Sequence, residues 1–281
     1  MAELPGGGID WLPMVFALVA TGAIGGILAG LLGVGGGIVI VPMLDYVLGI
    51  AGTDPAARMH VAVATSLATI IPTALSSTRA HELRGAVDRG LARAWAIPIA
   101  VGAALGAVIA GEARTAVLTA VFGSVALLAA LKMILPFDEW RLGERVPRGW
   151  RAAPLPFGIG LVSSVMGIGG GTVSVPAMTL YGEPIHRAVG TAALFGLLIS
   201  VPGTVAYLVT RTDVSLPWGT VGLVSVPGVL LIAPMTMLCA PLGARLAHSL
   251  SRRALAAAFG LFLALVAARM LWRSFAIPGS P

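Results

Sequence analysis

Two stretches of this sequence could hold a ligand without any charged side chain. Gly33-Val34-Gly35-Gly36-Gly37 with Pro42, and Gly167-Ile168-Gly169-Gly170-Gly171 with Pro176, repeat one pattern at a constant offset of 134 (33 to 167, 42 to 176). Each interrupts an apolar run. A glycine inside a helix costs about 1 kcal/mol relative to alanine, so three in a row predict a break. The helix that restarts beyond a break presents unpaired N–H groups and the positive end of its dipole. Two such ends meeting near the middle of a bilayer can hold an anion. The backbone donors would be Gly35, Gly36 and Gly37 with Gly169, Gly170 and Gly171. The competing reading is that the glycines only let helices cross closely. Repetition of the whole pattern, proline included, favours a site.

Polar side chains flank both breaks. Thr65-Ser66, with Thr69, lies after the first, and Thr191 occupies the position matching Thr65 after the second; Ser163, Ser164, Thr172 and Ser174 flank the second directly. Hydroxyls donate to an oxyanion or a bound water, which makes Thr65, Ser66, Thr172 and Thr191 candidate substrate ligands. Their bland role is bonding backbone within a membrane helix. His60 and His186 begin matched segments and could relay protons or sit among headgroups. Asp45 is the acid nearest a glycine motif and could couple transport to protons or be a helix-end charge; its matched position is Thr179. The four histidines include no His-x-x-x-His pair, and Cys239 is the single cysteine, so no metal site is expected. No nucleophile–base set emerges, and the glycine runs lack the Lys-Ser/Thr of a phosphate loop. An enzyme is not expected, and no cofactor is.

These residues need elements that place them in lipid. Of 281 residues 57% are hydrophobic and only 11% charged, with a mean hydropathy of +0.95, against about 25% charged in soluble domains. A spanning helix needs about 20 mostly apolar residues. Eight apolar regions qualify, at 11–49, 59–79, 92–111, 114–135, 153–181, 187–209, 218–246 and 252–274, and no periodicity suggests strands. The net charge of +6 lies in short links, where the positive-inside bias puts it, so nucleic acid is excluded as a partner. The start of the chain carries Glu3 and Asp10 without Lys or Arg, the wrong pattern for a cleaved signal peptide. The fold class expected is an all-α polytopic membrane protein. Its organisation is a tail at 1–10, a first repeat at 11–135, a basic connecting loop at 136–152, a second repeat at 153–274 and a tail at 275–281.

Further matched blocks carry the duplication: His60–Thr65 with His186–Thr191 at an offset of 126, and Phe122-Gly123 with Phe259-Gly260 and Lys132-Met133 with Arg269-Met270 at 137. Arg269 and Arg245 stand near helix ends, from which long basic side chains snorkel to the surface. Basic charge switches between matched links. Loop 79–93 holds four arginines against one in 210–218, while 247–253 is more basic than 111–114. Opposed repeats follow, each with three spans plus one re-entrant hairpin at its break, and with 79–93, 136–152 and 247–253 cytoplasmic. A parallel eight-span arrangement remains open at this level.

The paired GxGGGxxxxP patterns, Gly33–Pro42 and Gly167–Pro176, and the His-x-Ala-Val-[Ala/Gly]-Thr blocks make the chain, over about residues 11–274, resemble the sulfite exporter TauE/SafE family, also called DUF81 or TSUP permeases. The resemblance implies a multi-pass permease of the bacterial cytoplasmic membrane for sulfite, sulfonates such as sulfoacetate, or other small organic or sulfur-containing anions. Ala192 stands where symmetry would require a second Ser66. The expected partners are a small anionic substrate and the lipid bilayer, with a homo-oligomer also compatible. The rival functions are a passive anion channel and a membrane enzyme or assembly factor.

Overall fold

The structure, a computed structural model, describes residues 11–33, 35–134, 142–246, 260–261 and 264–272. The tails at 1–10 and 275–281, Val34 and loop 247–253 lie outside the described residues. The fold is helical: α1 (Trp11–Leu32), α2 (Gly37–Ile50), α3 (Pro55–Glu82), α4 (Arg89–Glu112), α5 (Thr115–Ile134), α6 (Pro154–Val165), α7 (Gly171–Leu180), α8 (Ile185–Val209) and α9 (Val226–Leu246), with a further helical stretch at 264–272. Among these, α1, α3, α4, α8 and α9 are long and apolar enough to cross a membrane. The all-α polytopic expectation holds. Residues 11–49 and 153–181 each divide at the glycines into two helices.

Local chemistry sets the boundaries that hydropathy misplaced. The Asp54 side chain accepts the N–H of Ala56 and Pro55 occupies the first turn, a capped start, so α3 begins at 55 rather than 59. His60 therefore lies within the helix and not at its start. The region 218–246 is not one apolar segment. Two short strands, β1 (Thr220–Val221) and β2 (Val224–Ser225), pair antiparallel before α9, in a stretch whose Gly219 and Gly222 take positive φ. Strands of two residues are too short to leave an alternating pattern.

Turns gather at two ends of the bundle. At one end, Asp88 of the α3–α4 turn bonds Arg148 of the connecting segment and Arg187 at the start of α8. The N–H of Leu142 in that segment bonds the carbonyl of Leu180, the last residue of α7. The segment leading into α6 and the end of α7 thus share one end, and α6–α7 is a hairpin. Its arms, 12 and 10 residues long, reach about half a bilayer at ~1.5 Å per residue. At the other end, the α4–α5 turn meets α3: His60 Nε2 lies 2.8 Å from the Ala113 carbonyl, and Thr115 donates to Ala56. The helix α2 folds back on α1, where Gly36 packs on Gly25.

The halves interlock through small residues. The helix α1 lies along α9 and α6 along α4. A Cβ on Gly26 would stand 2.7 Å from Thr236 Cα, and one on Gly160 would strike the carbonyl of Ile99. Gly26 and Gly160 match at the offset of 134, and Ile99 and Thr236 at 137 (99 to 236). Small residues let the helix axes approach where lipid supplies no hydrophobic drive. Trp95 stacks on Phe195 at 5.4 Å in the core between α4 and α8.

Candidate functional site

The two glycine breaks touch. A Cβ on Gly35 would lie 3.1 Å from Gly169 Cα and 3.2 Å from the side chain of Ile70, which stands near the middle of α3. Gly35 and Gly169 are matched positions. Gly37 packs on the Gly167 carbonyl, and Ser66 Oγ donates to that same carbonyl at 2.8 Å. Gly33 abuts the Val189 carbonyl of α8, while Gly167 abuts Val63 of α3; Val63 and Val189 match at the offset of 126 (63 to 189). Each break therefore rests on the other half's long helix at one equivalent place. Gly33, Gly35 and Gly36 in the first break and Gly167 in the second have φ between +66° and +76°, a left-handed conformation that costs other L-residues roughly 1–2 kcal/mol. Both α2 and α7 restart at this junction. In α7 the N–H of Ser174 is the first to bond back, to Gly170, leaving the preceding N–H groups outside the ladder. Pro42 and Pro176 are each the sixth residue of their helix. Lacking an N–H, they release the carbonyls four residues back, those of Ile38 and Thr172. Gly35–Gly37 and Gly169–Gly171 are all buried.

The predicted hydroxyls occupy defined places. Thr65 Oγ1 accepts the N–H of Ser225 at 2.9 Å, and Thr191 Oγ1 accepts that of Asp88 at 2.9 Å. Asp88 and Ser225 match at 137 (88 to 225). Each also caps its helix: Asp88 Oδ1 accepts from Leu91 and Ser225 Oγ from Gly228. Thr65 and Thr191 thus hold the starts of α9 and α4, each keeping its own O–H. The offset of 137 already linked later blocks, and extending it backward reveals this pair, which sequence reading passed over. Ser66, Thr69, Thr73 and Thr236 are all satisfied: Thr69 donates to the Ser66 carbonyl, and Thr73 bonds Thr69 and Thr236. By contrast Ser163, Ser164, Thr172, Thr204 and Tyr207 have buried oxygens without a hydrogen-bond partner. An unmade bond at a buried polar group costs about 1–3 kcal/mol. Tyr207 was not singled out by sequence, since a lone tyrosine in an apolar helix carries no spacing signal.

His60 is buried, with Nδ1 3.0 Å from the Ala56 carbonyl and Nε2 2.8 Å from that of Ala113, so it fastens the α4–α5 turn rather than meeting headgroups. Its counterpart His186 is exposed. Asp45 is only 2% exposed, which replaces the picture of a surface helix-end charge. It lines a cavity of about 300 Å³ with Tyr46, Arg58 and Arg269, and the Arg269 guanidinium lies over the Tyr46 ring. None of Asp45, His60 or His186 adjoins the glycine junction in these contacts. At the α3–α4 turn, burial pushes the Asp88 carboxyl up, but the Leu91 N–H, Arg148, Arg187 and the Gly90 N–H together hold it below the ordinary aspartate value.

Paired broken helices inside a bundle of apolar spans define a multi-pass membrane protein of the permease class. The model of the family "Sulfite exporter TauE/SafE" matches residues 18–270, and the chain belongs to that family. It is 31% identical to a "Probable membrane transporter protein" of Haemophilus influenzae over 91% of this chain and 97% of that one. It is 30% identical to "Probable membrane transporter protein YunE" of Bacillus subtilis over 69% and 78%. A protein of Xylella fastidiosa also named "Probable membrane transporter protein" is 29% identical over 92% and 95%. No solved structure matches the chain.

Proposed function

We propose that this permease carries a small anion across the cytoplasmic membrane, of the class of sulfite, sulfonates such as sulfoacetate, and related organic or sulfur oxyanions. The observation that carries the reading is the meeting of Gly35 and Gly169 midway along α3, where α2 and α7 both begin. Their N–H groups, with the hydroxyls of Thr172, Thr65 and Thr191, supply the donors, while the Ser66 O–H is already given to the Gly167 carbonyl. Among the described residues no buried side chain is a Lys or Arg, so an anion would be held by dipoles and hydrogen bonds. Such a site binds without trapping, which transport needs.

The described residues of both breaks, Gly33, Gly35–Gly37 and Gly167–Gly171, are buried, which favours a carrier over an open channel. Access would come from rocking one half against the other about the Gly35–Gly169 contact. The turns shared at each end of the bundle support opposed repeats, with the α3–α4 turn and connecting segment in the cytoplasm. Labelling of cysteines placed in 83–88 and 210–218 tests this: reaction of both from one side of the membrane rules it out. Asp45, beside Arg58 and Arg269, is better placed for proton coupling than His60, whose ring nitrogens both face carbonyls, or the exposed His186.

The functional test is flux of labelled sulfite and sulfoacetate in proteoliposomes. Saturation and acceleration by anion on the opposite side are expected. Flux that rises linearly and without such exchange would make the protein a channel, and chemical turnover without flux would make it an enzyme.

A further inference from the structure

The two breaks match in backbone but not in lining. At the offset of 134, Ser163, Ser164 and Thr172 replace Ala29, Gly30 and Ile38. At 126, Tyr207 replaces His81, which in the first half reaches the Gly30 carbonyl at 3.3 Å. Ser164 and Thr172 stand four residues to either side of Ile168, one ending α6 and the other beginning α7, so the hairpin brings them to equal depth. The Ser164 hydroxyl faces α8 at Gly203, where a Cβ would come within 2.9 Å of its oxygen; Tyr207 follows one turn later. Ser163, Ser164 and Tyr207 are essentially fully buried and Thr172 is 9% exposed, yet their oxygens have no partner. Native structures satisfy nearly all such groups, with protein, water or ligand. The first-half hydroxyl nearest the junction, Ser66, already serves the Gly167 carbonyl.

We propose that the ligand is held off the axis between the halves, in a second-half subsite made by Ser163, Ser164, Thr172 and the start of α7, with Tyr207 at its far wall. This rests on the anion reading above and narrows it. A site built from several O–H donors and a helix N-terminus takes an oxyanion, whose oxygens each accept a hydrogen bond, over a halide of equal charge.

The test uses the full chain in detergent, with sulfite, methanesulfonate, acetate and chloride as probes of thermal stability. Sulfite and methanesulfonate are expected to raise the melting temperature of the unsubstituted protein more than chloride does. Ser164→Ala and Thr172→Val should raise the half-saturating concentration about tenfold or more. They should leave the ligand-free melting temperature unchanged or higher, since each removes an unpaired group. Thr73→Val, whose hydroxyl is paired, should lower the ligand-free melting temperature and leave the anion response intact. An equal anion response in Ser164→Ala, Thr172→Val and the unsubstituted protein overturns the off-axis subsite and leaves the anion reading standing. Loss of ligand-free stability in both variants also overturns it, by making the hydroxyls structural. No response of the unsubstituted protein to any probe overturns the anion reading and the subsite with it.

Discussion

The first and second glycine breaks share a pattern and differ in how it is used. In the first, Gly33, Gly35 and Gly36 are all left-handed, and Gly36 is pressed against the backbone of Gly25. The helix that follows begins Gly-Ile-Val-Ile, and the nearby hydroxyls from Ser66 to Thr73 are bonded to protein. In the second, only Gly167 is left-handed, Gly170 is right-handed against Phe195 and Ile199, and Ser163, Ser164 and Thr172 are unpaired while Ser174 donates to the Gly170 carbonyl. Both places keep what the backbone needs: the glycines, the proline six residues into the helix, and the threonine that holds the opposite half's cap. The side chains around them differ, so that the hydroxyls from Ser66 to Thr73 are satisfied by protein and Ser163, Ser164 and Thr172 are not.

The comparison can be broken most sharply by adding bulk. Gly36→Leu meets a left-handed backbone and the Gly25 carbonyl 2.7 Å away, whereas Gly170→Leu meets ordinary backbone geometry and the Phe195 side chain at 2.8 Å. We expect Gly36→Leu to abolish transport and lower stability by about 2–5 kcal/mol, from left-handed strain plus overpacking. Gly170→Leu should abolish transport with a loss of only about 1–3 kcal/mol. Gly123→Leu, which meets the Leu271 side chain, should reduce flux least. Flux in proteoliposomes at matched incorporation, with thermal unfolding, checks the order. Equal losses at all three would leave the glycines with a packing role alone.

Removing a satisfied hydroxyl comes next. Thr73→Val breaks the bonds to Thr69 and Thr236 and should cost about 1–2 kcal/mol by denaturant or thermal unfolding. The smallest effect is expected from making the two caps alike. Asp88→Ser gives α4 the cap that Ser225 gives α9, keeping the bond to Leu91 while losing Arg148 and Arg187. Because the Asp88 carboxyl is held below its ordinary value, its contribution is full above the unfolded value near about 3.9 and fades as pH falls through the lower folded value. Unfolding midpoints of the two proteins should therefore differ slightly and constantly from pH 5 to 8. They should converge below about pH 4. A difference that grows with pH in the neutral range would point to another group.

Much of this was legible in the residues themselves. Hydropathy located the lipid-embedded segments, and the cost of consecutive glycines located the breaks, because both are local and strong. The shortness of the second hairpin is legible in the ten residues, 171–180, that separate the break from Tyr181-Gly182. Burial of Asp45 and His60 was not legible, since it depends on α5 and the stretch at 264–272 closing over the ends of α2 and α3. The strand pair at 220–225 escaped because two residues per strand carry no period. The unpaired hydroxyls escaped for a different reason. A serine in a lipid-embedded helix is usually satisfied by its own backbone, and only three-dimensional placement shows where it is not.

The crossed packing of α1 on α9 and α6 on α4 bears on how the chain is made. During synthesis α1 is made long before α9, the helix that covers Gly22, Gly26 and Gly30. Until then a glycine-faced helix must wait in the bilayer without its mate, while α4 and α6 can meet soon after they are inserted. A product ending before α9 would lack the helix that covers Gly22, Gly26 and Gly30, so closure of the bundle waits on α9.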